Sequence, residues 1–417
     1  MSTENNNHGD DGAIGSMRIG RRWVLGLMAS AAAAGLGAGR AFAQEETIKI
    51  GVVLPLAGAF AVSGQDLLNG AKLAVEEINA GGGIKSIGGR KLELLIGDAG
   101  QSPETTVAAA RRILNEEPVA ALGSWYSSLT LAGTQVAEQR RIPWVTGSAS
   151  DAITERGFKY TFKISGGTRA TLPVLVDVVN LFGSGQPRLA LLSDNNAPMQ
   201  AVKEGIRGLL DPASIVSDHT WTPPLPDATP VVNAVMRVQP NVIYLGATAT
   251  NDQVQILKQL AAQGNTAPLL MGASSAANPS FIETVGARGM EGVIVVTPVA
   301  FPGKGSDDIV ARYVAATGQA FMDCEALTGY ADVLIIAAAL ESAGKAEAEA
   351  VREALAGMDI ADHPVLSSAL PGGSRIRFDE NGLRDGTVVQ VLQWQDGQPR
   401  VVLPPEGGAT HELKTRI

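Results

Sequence analysis

A single cysteine, four histidines and an aromatic content of only 5% in 417 residues restrict the chemistry open to this chain. Cys324 has no partner for an internal disulfide, and within EALTGYADVLIIAAAL it reads as a small core residue. His8, His219, His363 and His411 lie far apart, so neither a zinc or copper site nor a histidine-based catalytic pair is expected. Gly58 to Gly64 follows an apolar strand, but Gln65 stands where a phosphate loop requires lysine, and no dinucleotide fingerprint is present. Neither G-x-S-x-G nor H-E-x-x-H occurs. Basic runs are also missing: 33 Lys and Arg against 42 Asp and Glu leave a formal charge of −9, which argues against nucleic acid and anionic membranes as partners. Together these absences point to binding without catalysis, and no cofactor or metal is expected.

What is present begins with residues 18–46, RIGRRWVLGLMASAAAAGLGAGRAFAQEE. Arg21 and Arg22 precede a short apolar run that ends in Ala41-Phe42-Ala43, the anatomy of an export signal cleaved after Ala43. The paired arginines resemble the twin-arginine type, which carries folded proteins across the membrane. Position 44 is Gln and offers no thiol for lipid attachment, so the exported chain is expected free in the periplasm. Beyond it the longest apolar run is Val333–Leu340, far short of a membrane span.

From Ile48 onward strand-like and helix-like segments alternate. The β-branched run Ile48–Leu54 predicts a buried strand. Leu67, Ala71, Ala74 and Ile78 predict a helix over 63–79, ended by three glycines. Ser102-Pro103 supplies an N-cap and a first-turn proline for the next helix. Strands at 91–96, 119–122 and 143–146, with a helix near 128–139, complete a first unit. A second follows Ser165, with strands at 189–193, 215–218, 242–245 and 269–271. After 292–296 come helices near 307–315, 325–342 and 347–356, then antiparallel strands at 375–378, 388–394 and 400–403. Alternation in steps of 20 to 30 residues predicts α/β lobes built on parallel sheets.

Three loops fall where doubly wound sheets bind ligands, beyond the carboxyl ends of strands. Gly123-Ser124-Trp125-Tyr126-Ser127-Ser128 opens a helix; its N–H groups and the Ser127 and Ser128 hydroxyls suit a carboxylate, and Trp125 and Tyr126 can wall an apolar group. Serine there is equally what an N-cap requires. Thr146-Gly147-Ser148-Ala149-Ser150-Asp151 offers short donors and close backbone approach, and is equally an ordinary turn. Gly272-Ala273-Ser274-Ser275 lies in the second unit, placed to close on the same ligand.

GVVLPLAGAFAVSGQDLLNGAKLAVEEINAGGGI, the segment GSWYSSLTLAGTQVAEQRRIPWVTGSASDAITERGFKYTFKIS and the closing IRFDENGLRDGTVVQVLQWQDGQ resemble the leucine/isoleucine/valine-binding protein family, the periplasmic solute receptors of ABC importers for branched-chain amino acids, amides and related compounds. The resemblance implies a type I periplasmic binding protein: two doubly wound α/β lobes joined by a three-stranded hinge that close over a ligand. It divides the chain into an export signal at 1–43, a first lobe at 44–165 plus 297–369, and a second at 166–296 plus 370–417, with crossovers near Ser165, Thr297 and Ala369.

By the same resemblance the ligand-carboxylate serine falls on Ser127, beside Ser128, and the second-loop contacts fall on Ser148 or Ala149 and on Ser150. The family's first-lobe tyrosine is Ser63 here, and a second-lobe aromatic is replaced within Asn195-Asn196-Ala197-Pro198. The acid that pairs with a ligand's α-ammonium is Ser274, with Asp194 and Asp151 as possible substitutes. The two half-cystines of the family are Gly100 and Tyr126. The implied function is capture of a branched-chain amino acid or similar hydrophobic carboxylate and delivery to an inner-membrane ABC permease, by a monomer. Two alternatives remain: a receptor for aromatic carboxylates or short amides, and the ligand-sensing subunit of a signalling system. An enzyme on this scaffold is disfavoured by the missing motifs.

Overall fold

The computed structural model describes residues 47–414 apart from 364, 371, 373 and 374; the expected export signal lies outside them. Ile48–Leu54, buried along almost its whole length, forms β1, an internal strand of the first half. With β2 (Leu92–Asp98), β3 (Ala120–Gly123), β4 (Trp144–Thr146) and β5 (Thr161–Lys163) it makes a fully parallel sheet in the order β2-β1-β3-β4-β5. The crossovers are helices α1 (Ala61–Ala80), α2 (Pro103–Leu114) and α3 (Ser127–Arg140). At the start of α2 the Ser102 side chain accepts from the Thr105 N–H, and Thr105 Oγ1 accepts from the Ser102 N–H, a reciprocal cap followed by Pro103.

The second half contributes β6 (Leu189–Asp194), β7 (Ile215–Trp221), β8 (Val242–Gly246), β9 (Leu269–Met271) and β10 (Ile294–Thr297), all parallel. They are covered by α4 (Thr168–Phe182), α5 (Ala197–Leu209), α6 (Thr229–Arg237) and α7 (Thr250–Ala262). The chain returns to the first half through α8 (Asp307–Thr317), α9 (Cys324–Ala343) and α10 (Ala348–Ala356). A small ribbon of β11 (Asp359–Ala361) and β12 (Arg375–Arg377) follows. The antiparallel pair β13 (Gln390–Gln395) and β14 (Gln398–Leu403) closes the second sheet, in the order β14-β13-β10-β9-β8-β6-β7.

Each sheet reverses its strand order once, between β1 and β3 and between β6 and β8. At such a reversal the neighbouring crossovers leave in opposite directions, and a crevice opens beyond the strand ends. The loops after β1, β3 and β4 therefore gather at one edge of the first half, and those after β6, β8 and β9 at one edge of the second.

Leu370, Ile376 and Phe378 are buried in the first hydrophobic core, and the Lys163 N–H donates to the Gly382 carbonyl at 2.7 Å. β12 pairs with β11 and not with the closing hairpin. The return path is graded. Phe301, Phe321 and Cys324 pack in the second core beside Trp394, whereas Ile309, Tyr313 and the rest of α9 pack in the first.

Helix α9 is, among the described residues, the one helix long and apolar enough to cross a membrane, and most of it is buried. It serves as the core helix against which α1 packs. A Cβ on Gly70 would collide with the Ala326 carbonyl oxygen and one on Gly329 with that of Leu67, so these two glycines allow the helices to touch backbone to backbone.

Candidate functional site

The loop from Gly123 to Tyr126 delivers the chain from β3 into α3. Trp125 takes φ 66°, in the left-handed region that a bulky side chain rarely adopts. The Trp144 indole N–H anchors the loop from below by donating to the Gly123 carbonyl. Tyr126 is the N-cap of α3, and no side chain caps the helix. The capping explanation for the serines is thereby overturned. Ser127 Oγ instead lies 3.0 Å from Ser148 Oγ, joining the loops after β3 and β4. Uncapped first-turn N–H groups beside two buried hydroxyls form an electropositive, donor-rich corner.

Two cavities share Ser127 and Pro198 in their walls. The inner one, about 60 Å³, lies among Trp125, Tyr126, Ala149, Met199, Thr248 and Ser274. The outer one, about 450 Å³, is lined by Ser128, Leu131, Ser150, Asp151, Arg169 and Leu172 among others. Both draw on first-half and second-half loops, so the two switch points face one cleft. Phe60 stacks on Tyr126 with ring centroids 4.3 Å apart, and Tyr126 Oη lies 3.5 Å from Thr248 Oγ1 across the cleft. Burial pushes the Tyr126 phenol well above its ordinary range, so it remains a neutral hydrogen-bonding group.

The sequence-derived candidates divide clearly. Trp125, Tyr126, Ser127, Ser128, Ala149, Ser150 and Ser274 line one cavity or the other, and Ser148 reaches the site through Ser127. The backbone oxygens of the second loop already accept bonds: Ser148 from the Ser165 hydroxyl, Ala149 from the Thr168 N–H and Ser150 from Lys163 Nζ. Ser63 is buried in the first turn of α1 and lines neither cavity. Asn195 is exposed, donates to Thr222 Oγ1 and lines neither cavity. Its neighbour Asn196 is the residue that turns inward, donating to Thr248 Oγ1 at 2.9 Å.

The two carboxylates considered as substitutes for the missing acid are occupied. Asp194 accepts from the Thr248 N–H and hydroxyl and from the Asn196 N–H, fully buried beneath its loop. Asp151 accepts from the Arg169 N–H at the rim. A third acid was not legible in the sequence. Ser274 Oγ donates to Glu325 Oε1 at 2.7 Å, and Glu325 is fully buried in the first turn of α9. Beside it the Asn278 amide donates to Asp66 on α1 at 2.8 Å and to Asp323 at 2.6 Å. Second-half donors therefore meet Asp66 of α1 and two carboxyls at the start of α9.

Burial raises all three of these carboxyls: Asp66 to about 6, Glu325 to about 7, and Asp323 well above the usual carboxylate range. The unfolded chain releases such protons near pH 4, while the folded chain holds them to pH 6 or 7. More protons are bound folded than unfolded in that window, so the cluster's contribution to stability falls as pH rises from about 4 to about 7. Asp66→Asn is expected to flatten this slope, read as a smaller difference in melting temperature between pH 5 and pH 8 than in the parent protein.

The fold and cleft define a two-lobed binding protein. The chain belongs to the periplasmic binding protein family, which it matches over residues 47–398. It is 26% identical to Leu/Ile/Val-binding protein homolog 7 of Brucella abortus (strain 2308), over 91% of this chain and 97% of that one. Its fold is shared with the branched-chain amino acid transporter substrate-binding protein of Streptococcus pneumoniae in complex with isoleucine, with a TM-score of 0.73 at 19% identity over 86% of this chain and all of the other. It is likewise shared with a solute-binding protein of an ABC transporter from R. palustris in complex with benzoate, with a TM-score of 0.70 at 17% identity over 86% and 96% of the two chains.

Proposed function

We propose that this protein is the periplasmic receptor of an ABC importer. In this reading it binds a branched-chain amino acid in the cleft, closes its lobes around it and presents the closed form to the membrane permease. It carries out no reaction and reaches the periplasm by its twin-arginine-type signal. The observation that carries the reading is the pair of hydroxyls Ser127 and Ser148 at the uncapped N-terminus of α3, in a cleft that Leu131 and Leu172 also line. Such a corner holds a carboxylate through neutral donors and the helix dipole, and the apolar walls accept the aliphatic remainder. The ligand named for the Streptococcus pneumoniae structure and the name of the Brucella relative support the same class.

A second reading, an aromatic carboxylate, is favoured by one feature: the wall formed by Phe60, Tyr126 and Trp125. Thermal unfolding of ligand-free protein separates the two. A ligand at a thousandfold its Kd adds about 4 kcal/mol, a shift of several degrees. Leucine, isoleucine or valine is expected to give this shift. Stabilisation by benzoates alone would transfer the assignment to aromatic acids, and silence from both classes would overturn the carboxylate assignment.

A further inference from the structure

The two halves also meet at a pair of acids, Asp66 and Asp323, that lines neither cavity. Asn278 lies in the turn after β9, in the second half, and is buried. Its side-chain oxygen accepts from the Ser280 N–H at 2.9 Å, which fixes the orientation of the amide. The NH2 group then gives one proton to Asp66 Oδ2 on α1, at 2.8 Å, and the other to Asp323 Oδ2 at the start of α9, at 2.6 Å. Asp66 and Asp323 are also bonded carboxyl to carboxyl, a bond that exists only while one of them holds a proton. Both are buried, and the titratable groups that face them are Glu325 and Cys324 on α9 and Tyr313 on α8. None of these three brings a positive charge.

We propose that Asp66, Asp323 and Asn278 form a proton-controlled latch between the halves, shut while the carboxyl pair holds a proton and released when that proton is lost. This rests on the two-lobed receptor reading above and adds a control of closure that does not depend on which ligand fills the cleft. With one proton the pair carries a single negative charge, met by both N–H groups of Asn278. Without it, two charges stand side by side in a buried site, and the repulsion is relieved by parting the halves and admitting water. Asp66 belongs to a helix of the first core and Asn278 to a turn of the second, so parting the halves separates these two. In the shut form burial raises Asp66 to about 6, whereas a hydrated carboxyl titrates near 4. The shut form therefore binds more protons between those values, and closure loses ground as pH rises through 6. One such proton makes closure about tenfold less favourable at pH 8 than at pH 5.

The test is small-angle X-ray scattering of the ligand-free protein at pH 5 and pH 8, for the parent, Asp66→Asn and Asn278→Ala. The parent is expected to show a larger radius of gyration at pH 8. Asp66→Asn keeps an acceptor for the Asn278 amide and leaves Asp323 as the single charge, capped by the Ala326 N–H, so it is expected to stay compact at both pH values. Asn278→Ala removes the donor from the second half and serves if the Asn variant fails to fold; it is expected to show the larger radius at both. Calorimetric titration with leucine is expected to give a dissociation constant about tenfold higher at pH 8 than at pH 5 in the parent, and the same at both in Asp66→Asn. A parent radius that does not change with pH, or a change that persists in full in both variants, would overturn the latch and leave the receptor reading standing. Leucine affinity equal at the two pH values in the parent would overturn it as well. Because the scattering is read without ligand, a failure of leucine to bind would remove leucine as the ligand, and the latch would stand or fall on the radius.

Discussion

Trp144→Ala is expected to cost about 3–5 kcal/mol of folding stability, the range for deleting a large buried aromatic. Its ring is fully buried on β4 and packs so tightly against α3 that a Cβ on Gly133 would stand 2.7 Å from a ring carbon. A neighbour that close on a helix backbone has little freedom to refill the space. The indole N–H is also the partner of the Gly123 carbonyl, at the root of the loop that carries Trp125, Tyr126 and Ser127. Chemical unfolding is expected to show an earlier midpoint, and ligand titration a weaker complex in the same variant. Trp144→Phe separates the effects. It keeps most of the volume but leaves the Gly123 oxygen without its partner, for about 1–3 kcal/mol. Unchanged ligand affinity in both variants would show that the loop holds its conformation without this anchor.

Ser127→Ala is expected to weaken binding of both leucine and 4-methylpentanoate by about 10- to 100-fold, the loss of one hydrogen bond to a charged group. The hydroxyl does not cap α3, so its removal leaves the helix start unchanged. Loss of its bond to Ser148 reduces ligand-free stability by only about 1 kcal/mol. Undiminished affinity for both ligands in Ser127→Ala would place the carboxylate elsewhere in the cleft.

Where the governing interactions were local, the sequence was readable. Ile48–Leu54 announced β1 because a strand covered on both faces shows no alternation, and Ser102-Pro103 announced the start of α2 because a cap is built from adjacent residues. The strand Thr161–Lys163 was missed: three residues carry no periodicity, and the segment is ordered by pairing with β4 and by contact with Gly382. The partner of Arg375–Arg377 was not legible for a related reason, since the segment looks the same whether it pairs with β11 or with β13. Asn195 and Asn196 were indistinguishable as neighbours in a loop; only the fold turns Asn196 toward Thr248 and leaves Asn195 outside.

By itself the sequence determined the alternation of strands and helices, the poverty of catalytic and metal-binding groups, and the serine-rich loops at strand ends. These follow from residue type and near-neighbour spacing, which act within one or two turns of chain. The tertiary structure alone decided which loops share a cleft, that Ser127 bonds Ser148 and caps nothing, and that Ser274 meets Glu325, 51 residues away. The physical reason is that the polarity of a buried hydroxyl is set by the partner that takes its proton. For Ser274 that partner arrives from α9, packed against the first half of the fold.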